Sequence, residues 1–494
     1  MDRRYVAGAL AGIFVASAII RMPGLGSQPL WTDEANCLAI ARLKPAAAWH
    51  ALEHDCSPPL YYWLLGSVAG DDPGEARTRA LSAAFGLLTP PLLGLCGAWL
   101  MGPPGVVAGA LLAVSPLHLW HSQEARMYAL VCLLGVALAC LTIRSRREGR
   151  GLAALAAVQI LLLWTHHFSS FAIAVSWCII GAARTVPWRR LLAFALVVAV
   201  GWLPAAVLLW RQVFVFRTGT WLPPPSLDAP LRSIGLWLAG IDAAEHSCIL
   251  GIPMGLATVV LGALPLLMHG LRDSMGRMLA TLCGGTLALA WIVSRMVPAL
   301  VPGRYDIVVL PSFLLVLAAG WRRAGRAIRW ASSALLMAGC AVGVFYYFTA
   351  YEKGSLRELA ALIEENQQAH DVVVVAPEIE APVLHYYYRG NLPVLVPPSF
   401  GTVDRVDYAH YDRRWASEDE ARLLASECWA RVPPGGRIHL IYSPYRATIQ
   451  FKGWLMKGVT YTRITRRVSG SGSTELAVLE RSSLDEDGPG AMPW

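Results

Sequence analysis

The chain has 494 residues, 55% hydrophobic and only 15% charged, with 42 basic against 34 acidic side chains and a formal net charge of +8. Together with a mean hydropathy of +0.46, that balance excludes an ordinary soluble protein of this size and indicates an integral membrane protein. The positive excess lies in short connectors beside apolar runs, where it sets membrane orientation, so it does not call for a nucleic-acid partner.

In chain order, Met1-Asp2-Arg3-Arg4 leads into an apolar run at 5–20. No small-residue cleavage site is clear there, so the run reads as a retained first span rather than a signal peptide. A long polar segment, 22–79, follows. It contains Leu30-Trp31-Thr32-Asp33-Glu34-Ala35 and then His54-Asp55-Cys56-Ser57-Pro58-Pro59-Leu60-Tyr61-Tyr62. Asp33 is placed to cap a helix beginning near Ala35. The stretch 58–70 is too short to span and reads as a surface-lying helix with Tyr61, Tyr62 and Trp63 at headgroup level. Cys37 and Cys56 share the segment, and a disulfide between them is left open.

Apolar runs then recur near 80–100, 104–119, 125–143, 151–165, 168–184, 190–210, 249–269, 278–297, 304–320 and 330–348. With the first run they make about eleven transmembrane helices. The Arg-rich connectors at 144–150, 184–190 and 321–329 assign one side as cytoplasmic. The count outward from them gives a multi-pass plasma-membrane protein with a cytoplasmic N-terminus and with segment 22–79 outside. The connector 118–128, the pair His166-His167, the loop holding Glu245-His246, and Gly303-Arg304-Tyr305 fall on the same outer side. Ionisable groups at membrane depth are expensive and mark function, so the chemistry is expected there.

After residue 348 the pattern changes. Helices at 356–367 and 416–430 alternate with strands at 371–376, 393–396, 437–442 and 475–480, which indicates a soluble, external α/β domain over 349–481. No glycine-rich phosphate loop follows its first strand. Residues 482–494 read as a disordered tail. The expected architecture is therefore an α-helical polytopic membrane module, 1–348, with a C-terminal α/β domain.

The Asp33-Glu34 pair, the Pro58-Pro59-Leu60-Tyr61-Tyr62 run, Ser122-Gln123-Glu124-Ala125-Arg126-Met127-Tyr128-Ala129-Leu130, and Gly303-Arg304-Tyr305 together resemble the polytopic GT-C glycosyltransferases. Within these the chain is most similar to the family 39 branch, the protein mannosyltransferase-like and aminoarabinose-transferase-like enzymes. The resemblance implies an enzyme that transfers a sugar from a polyprenyl-phosphate donor to an acceptor glycan, lipid or protein at the outer membrane surface, with inversion. Asp33 matches the family's catalytic acidic residue, which implies a general base, and Glu124 resembles its second acidic position; Glu34 completes the catalytic candidates. A hydroxyl attacking an anomeric carbon needs a carboxylate to take its proton, and the departing lipid phosphate needs a cation. Arg126 and Arg304 are the candidates for that cation, with Tyr305, Tyr61 and Tyr62 beside the lipid-phosphate donor. His54, Asp55, Tyr128, His167 and His246 are the candidates for substrate contact.

The chain also departs from the family pattern. The aminoarabinose branch carries an acidic residue and then Lys before the loop proline, where this chain has Cys56 and Ser57. No cofactor is certain; a divalent metal stays open, with His54, His166, His167 and His246 as donors. The competing class is a transporter or flippase of lipid-linked or small substrates. It would place ionisable groups at mid-span in related halves, whereas here the acids lie near span ends and no repeat is evident.

Overall fold

In the computed structural model, which describes residues 3–216, 224–239, 257–400, 417–443, 446–457, 459–462 and 474–481, the apolar runs form helices. The chain divides into two units, Met1–Ser27 with Ala41–Tyr351, and Gln28–Ile40 with Glu352–Trp494.

In the first unit, seven helices among the described residues are long and apolar enough to cross a membrane: Arg4–Arg21, Glu75–Met101, Tyr128–Glu148, Trp188–Phe216, Ser274–Ser294, Tyr305–Arg323 and Arg326–Thr349. The other expected spans depart from a single full-length helix. The run at 104–119 is broken into Pro103–Ala113 and Pro116–Ser122, bent by 62°. The cause is Ser115-Pro116, since Pro cannot continue the ladder and Ser115 instead caps the new helix by accepting from the His118 amide. The runs at 151–165 and 168–184 form helices of 14 and 13 residues, Leu152–Thr165 and Ser169–Gly181, because the backbone turns extended at His166. The run at 249–269 lies partly outside the described residues; its remainder forms Thr258–Gly270.

Burial separates central from peripheral helices. The apolar windows of Tyr128–Glu148 and Tyr305–Arg323 are 78% and 83% buried, against 17% for Arg4–Arg21. The two central helices therefore face protein and the first faces outward. Glu75–Met101 comes close enough to the next helix that a Cβ at Gly97 would meet the Gly105 carbonyl at 2.2 Å, a small-residue contact of the kind that lets membrane helices pack. The short helix expected at 58–70 forms as Leu60–Ala69. Its Tyr61 and Tyr62 are fully buried, however, so their rings face protein and not lipid headgroups. Their hydroxyls bond inward, Tyr61 with Ser82 Oγ at 2.6 Å and Tyr62 with Asp55 Oδ2 at 3.3 Å.

The second unit is built on a five-stranded sheet of β1 (Val372–Ala376), β2 (Val394–Leu395), β3 (Ile438–Tyr442), β4 (Val459–Thr462) and β5 (Glu475–Arg481), in the order β2-β1-β3-β5-β4. β1 is parallel to β2 and β3, with Val374 beside Leu395 and Leu440; β5 is antiparallel to β3 and β4. Strand β1 is buried at every position, as expected of a parallel strand covered on both faces. Val372 and Val374 pack with Leu424, Cys428, Phe451 and Leu455. Val373 and Val375 pack on the other face with Leu356, Leu359, Leu384 and Ala35. The helix Glu418–Ala430 starts at a full capping box between Ser417 and Glu420. β4 was not expected from the sequence.

Asp371, buried just before β1, accepts from the Arg437 amide at 2.9 Å, Arg437 Nη2 at 2.8 Å, the Gln368 amide at 2.9 Å and His439 Nε2 at 2.8 Å. Burial alone would raise its carboxyl, but these donors hold it at about 2, below the ordinary 3.8. A depressed carboxylate contributes stability that is complete above its unfolded pKa and is lost as pH falls through the folded one. Asp371→Asn is expected to cost the unit about 1–2 kcal/mol at pH 7 and to remove the part of its acid lability that falls between about pH 4 and pH 2. Amide hydrogen exchange of β1 and β3 in the detergent-solubilised full chain measures both.

Candidate active site

The first unit gathers its polar residues around the broken span. Ending a helix at Ala113 leaves its last carbonyls without intrahelical partners. Arg21, wholly buried at the end of the first helix, donates Nη1 to the Ala113 carbonyl at 2.7 Å and Nη2 to the Leu112 carbonyl at 3.0 Å, with His118 Nδ1 at 2.8 Å. Gln123 donates back to the Arg21 and Pro23 carbonyls at 2.8 and 2.7 Å and accepts from Tyr347 Oη at 3.0 Å. The connector between Pro116 and Tyr128 is thereby fixed from both sides.

On this connector His121 and Glu124 form a buried pair, Nδ1 to Oε2 at 3.0 Å, with exposures of 0% and 1%. His121 Nε2 faces the Gly303 carbonyl at 2.9 Å. Both ring nitrogens thus meet oxygen acceptors. Glu124 Oε1 is buried without a hydrogen-bond partner among the described residues. Gly303 has φ +74, a turn that favours glycine, and its amide donates to Asp306 Oδ2 at 3.2 Å. That turn presents Arg304 and Tyr305.

Arg304 and Arg126 converge on one ring, with guanidinium carbons 5.5 and 6.0 Å from the centroid of Tyr128. Tyr128 stacks with Tyr305 at 6.4 Å. His166 lies 4.7 Å from Tyr305 and 5.9 Å from Tyr128, and His121 is 4.7 Å from Tyr128. The Arg126 carbonyl accepts from Ser82 Oγ at 2.9 Å, the hydroxyl that Tyr61 holds. Tyr61 therefore supports the backbone at Arg126. Arg is suited to such a place because a planar guanidinium both stacks on a ring and grips two phosphate oxygens.

A second cluster surrounds the 52–62 loop. Asp55, buried, accepts from the Cys56 amide and from Tyr62. His167 Nε2 meets Gln212 Oε1 at 2.9 Å, while Gln212 Nε2 donates to the Leu52 and Ser57 carbonyls at 2.6 and 3.2 Å. His54 lies 4.3 Å from the ring of Phe216, and Arg211 pairs with the buried Glu53 at 3.0 Å.

Asp33 and Glu34 belong to the second unit. Their helix, Thr32–Ala41, starts three residues before Ala35, so Asp33 does not cap it from outside but sits half-buried in its first turn, where the dipole favours an acid. Glu34 Oε2 returns to the Trp31 amide at 3.4 Å, and Glu34 Oε1 pairs with Lys353 Nζ at 3.3 Å, both side chains fully buried. Of the sequence candidates, Glu124, Arg126, Tyr128, Arg304 and Tyr305 come together; Asp55, Tyr62 and His167 line the second cluster; His246 lies outside the described residues. Cys37 and Cys56 both stand as thiols. No group of three or more His, Cys, Asp or Glu is placed to hold a metal ion among the described residues. Arg21, His121, Gln212 and Lys353 were not among the candidates. Their signals were a charge ending the first apolar run, a histidine three residues before Glu124, a lone amide ending an apolar run, and a lysine in a chain whose basic residues are nearly all Arg.

No family model matches the sequence, and no curated protein sequence matches it. Among solved structures, the chain is similar to ArnT from Cupriavidus metallidurans in the apo state, at 14% identity and TM-score 0.60, over 97% of this chain and 99% of that one. It is similar to the same protein bound to undecaprenyl phosphate at 14% identity and TM-score 0.58, over 99% and 100%. An oligosaccharyltransferase of Archaeoglobus fulgidus, in complex with zinc and sulfate, gives 11% identity and TM-score 0.48, over 95% and 73%. The likeness to ArnT is one of fold, along the whole chain.

Proposed function

We propose that the protein is a membrane glycosyltransferase that moves a sugar from a polyprenyl-phosphate donor to an acceptor hydroxyl at the outer face of the membrane. The observation that carries this reading is the convergence of Arg126 and Arg304 on Tyr128, beside the buried His121–Glu124 pair. This cationic, ring-lined cluster suits a phosphate, and the fold is shared with a structure described as bound to undecaprenyl phosphate.

In the proposed reaction Asp33 takes the proton of the acceptor hydroxyl, whose oxygen attacks the anomeric carbon from the face opposite the lipid phosphate. The carbon–oxygen bond to phosphate breaks, its electron pair stays with the phosphate, and the sugar is inverted. Arg126 and Arg304 stabilise the charge that develops on the leaving group, with Tyr128 and Tyr305 as the platform that orients the guanidinium groups. Glu124, held by His121, keeps Oε1 available to the sugar. The assignment of Asp33 as the base rests on its match to the family's catalytic acidic residue. Outward orientation rests on the basic connectors.

Asp33→Asn is expected to leave expression and membrane insertion intact and to abolish transfer from a polyprenyl-phosphate sugar by purified protein, read by mass spectrometry of the products. Near-normal transfer would remove Asp33 as the base. Arg304→Lys keeps the charge but loses the fork, and should lower kcat/KM by about 10²-fold. Orientation is checked separately by Ser426→Cys on the exposed side of Glu418–Ala430. The new thiol should react with an impermeant reagent in intact cells, with any outer membrane permeabilised; protection would invert the orientation.

A further inference from the structure

In the second unit the chain leaves β1 for the helix Ala381–Tyr387, on the face of the sheet that carries Ala381 and Leu384, and leaves β3 for the helix Arg446–Leu455, on the face that carries Phe451 and Leu455. Adjacent parallel strands whose connections depart to opposite faces open a crevice at their carboxyl ends, which is where open α/β sheets take their ligands. Here the crevice is built from polar groups. The Ser443 amide donates to the Ala376 carbonyl at 3.1 Å. Ser443 Oγ donates to Glu380 Oε1 at 2.9 Å and meets Thr474 Oγ1 at 3.0 Å. The remaining oxygen, Glu380 Oε2, accepts from Thr32 Oγ1 at 3.3 Å.

Thr32 immediately precedes Asp33, and it is one of several anchors along the same segment. The Leu30 amide donates to Tyr387 Oη at 2.7 Å. Gln28 Oε1 accepts from the Lys353 amide at 3.0 Å, and Lys353 Nζ pairs with Glu34. Ala35 is buried among Leu356, Leu359 and Leu384. Residues 28, 30, 32, 34 and 35 are thus each held by side chains or backbone more than three hundred positions later in the chain.

We propose that the crevice at the carboxyl ends of β1 and β3 receives the chain's own Gln28–Ile40 segment in place of a diffusible ligand, and that Glu380, with Tyr387, is a positioning residue for Asp33. This rests on the reading of Asp33 as the base. A catalytic carboxylate in the first turn of a short helix loses its advantage when it is misplaced by about 1 Å, at a cost of up to about 10²-fold in rate. Holding the residue before it by Glu380 and the residue after it by Lys353 prevents that displacement.

The test uses the purified full-length protein. Glu380→Ala should lower kcat about 10- to 100-fold with the donor KM within about twofold, Glu380→Gln should recover most of the loss because its amide oxygen can still accept from Thr32, and Tyr387→Phe should lower kcat in the same sense. Independently of activity, amide exchange at residues 31–36 should quicken in Glu380→Ala while that of β1 and β3 is unchanged. Unchanged exchange at 31–36, or equal quickening throughout β1 and β3, overturns the anchoring. Quickened exchange with unaltered kcat overturns the positioning role. If the unsubstituted protein transfers no sugar, or Asp33→Asn transfers it normally, the glycosyltransferase reading falls while the exchange measurement still decides the anchoring.

Discussion

The first unit depends on a guanidinium buried where a membrane helix is broken. Stopping the helix at Ala113 frees carbonyls that, inside an apolar medium, cost several kcal/mol each if unanswered. Arg21 answers two of them with one planar group, and its charge meets the negative end of the helix dipole. A Lys there would supply a point charge without the fork. Once the break is satisfied, the chain can leave the helical path between Pro116 and Tyr128 and bring His121, Glu124 and Arg126 to the start of a central helix.

That start adds to the electrostatics. Tyr128 and Tyr305 open the two most buried spans and stack on one another, so two helix N-termini meet beside Arg126 and Arg304. Helix N-termini carry partial positive charge and exposed amides. Two guanidinium groups over one ring repel each other, and an anion between them relieves the repulsion. The Gly303 turn matters for the same reason: its positive φ aims Arg304, its amide is held by Asp306, and its carbonyl holds His121.

Much of this was legible because apolar runs of spanning length and a buried four-valine strand leave few alternatives in water or lipid. The helix at Glu418–Ala430 was legible through its Glu- and Ala-rich composition, and Arg126, Arg304 and Tyr305 through their place at span ends. What escaped reading depended on tertiary partners. Arg21 looks like an ordinary interfacial arginine until the carbonyls of Leu112 and Ala113 are placed on it. Gln212 gains meaning only from His167 and the carbonyls of Leu52 and Ser57. Tyr61 and Tyr62 read as belt residues from composition, yet Ser82 and Asp55 draw their hydroxyls inward. β4 is short and polar, and its pairing with β5 rather than its own pattern makes it a strand.

The segment around Asp33 shows the same dependence at longer range. Read alone, Asp33-Glu34 is the beginning of a short helix with two acids near its dipole. In the folded unit the two acids are distinct. Glu34 is removed from water and paired with Lys353. A buried pair of this kind adds little net stability, because desolvation offsets most of the attraction, but breaking it leaves a costly unpaired charge. The pair therefore acts as a register pin: the segment can dock with Glu34 on Lys353, and a slip by one residue would bury an uncompensated acid. With the register pinned at Glu34 and again at Thr32, the half-buried Asp33 between them is held at one place in the first turn of its helix.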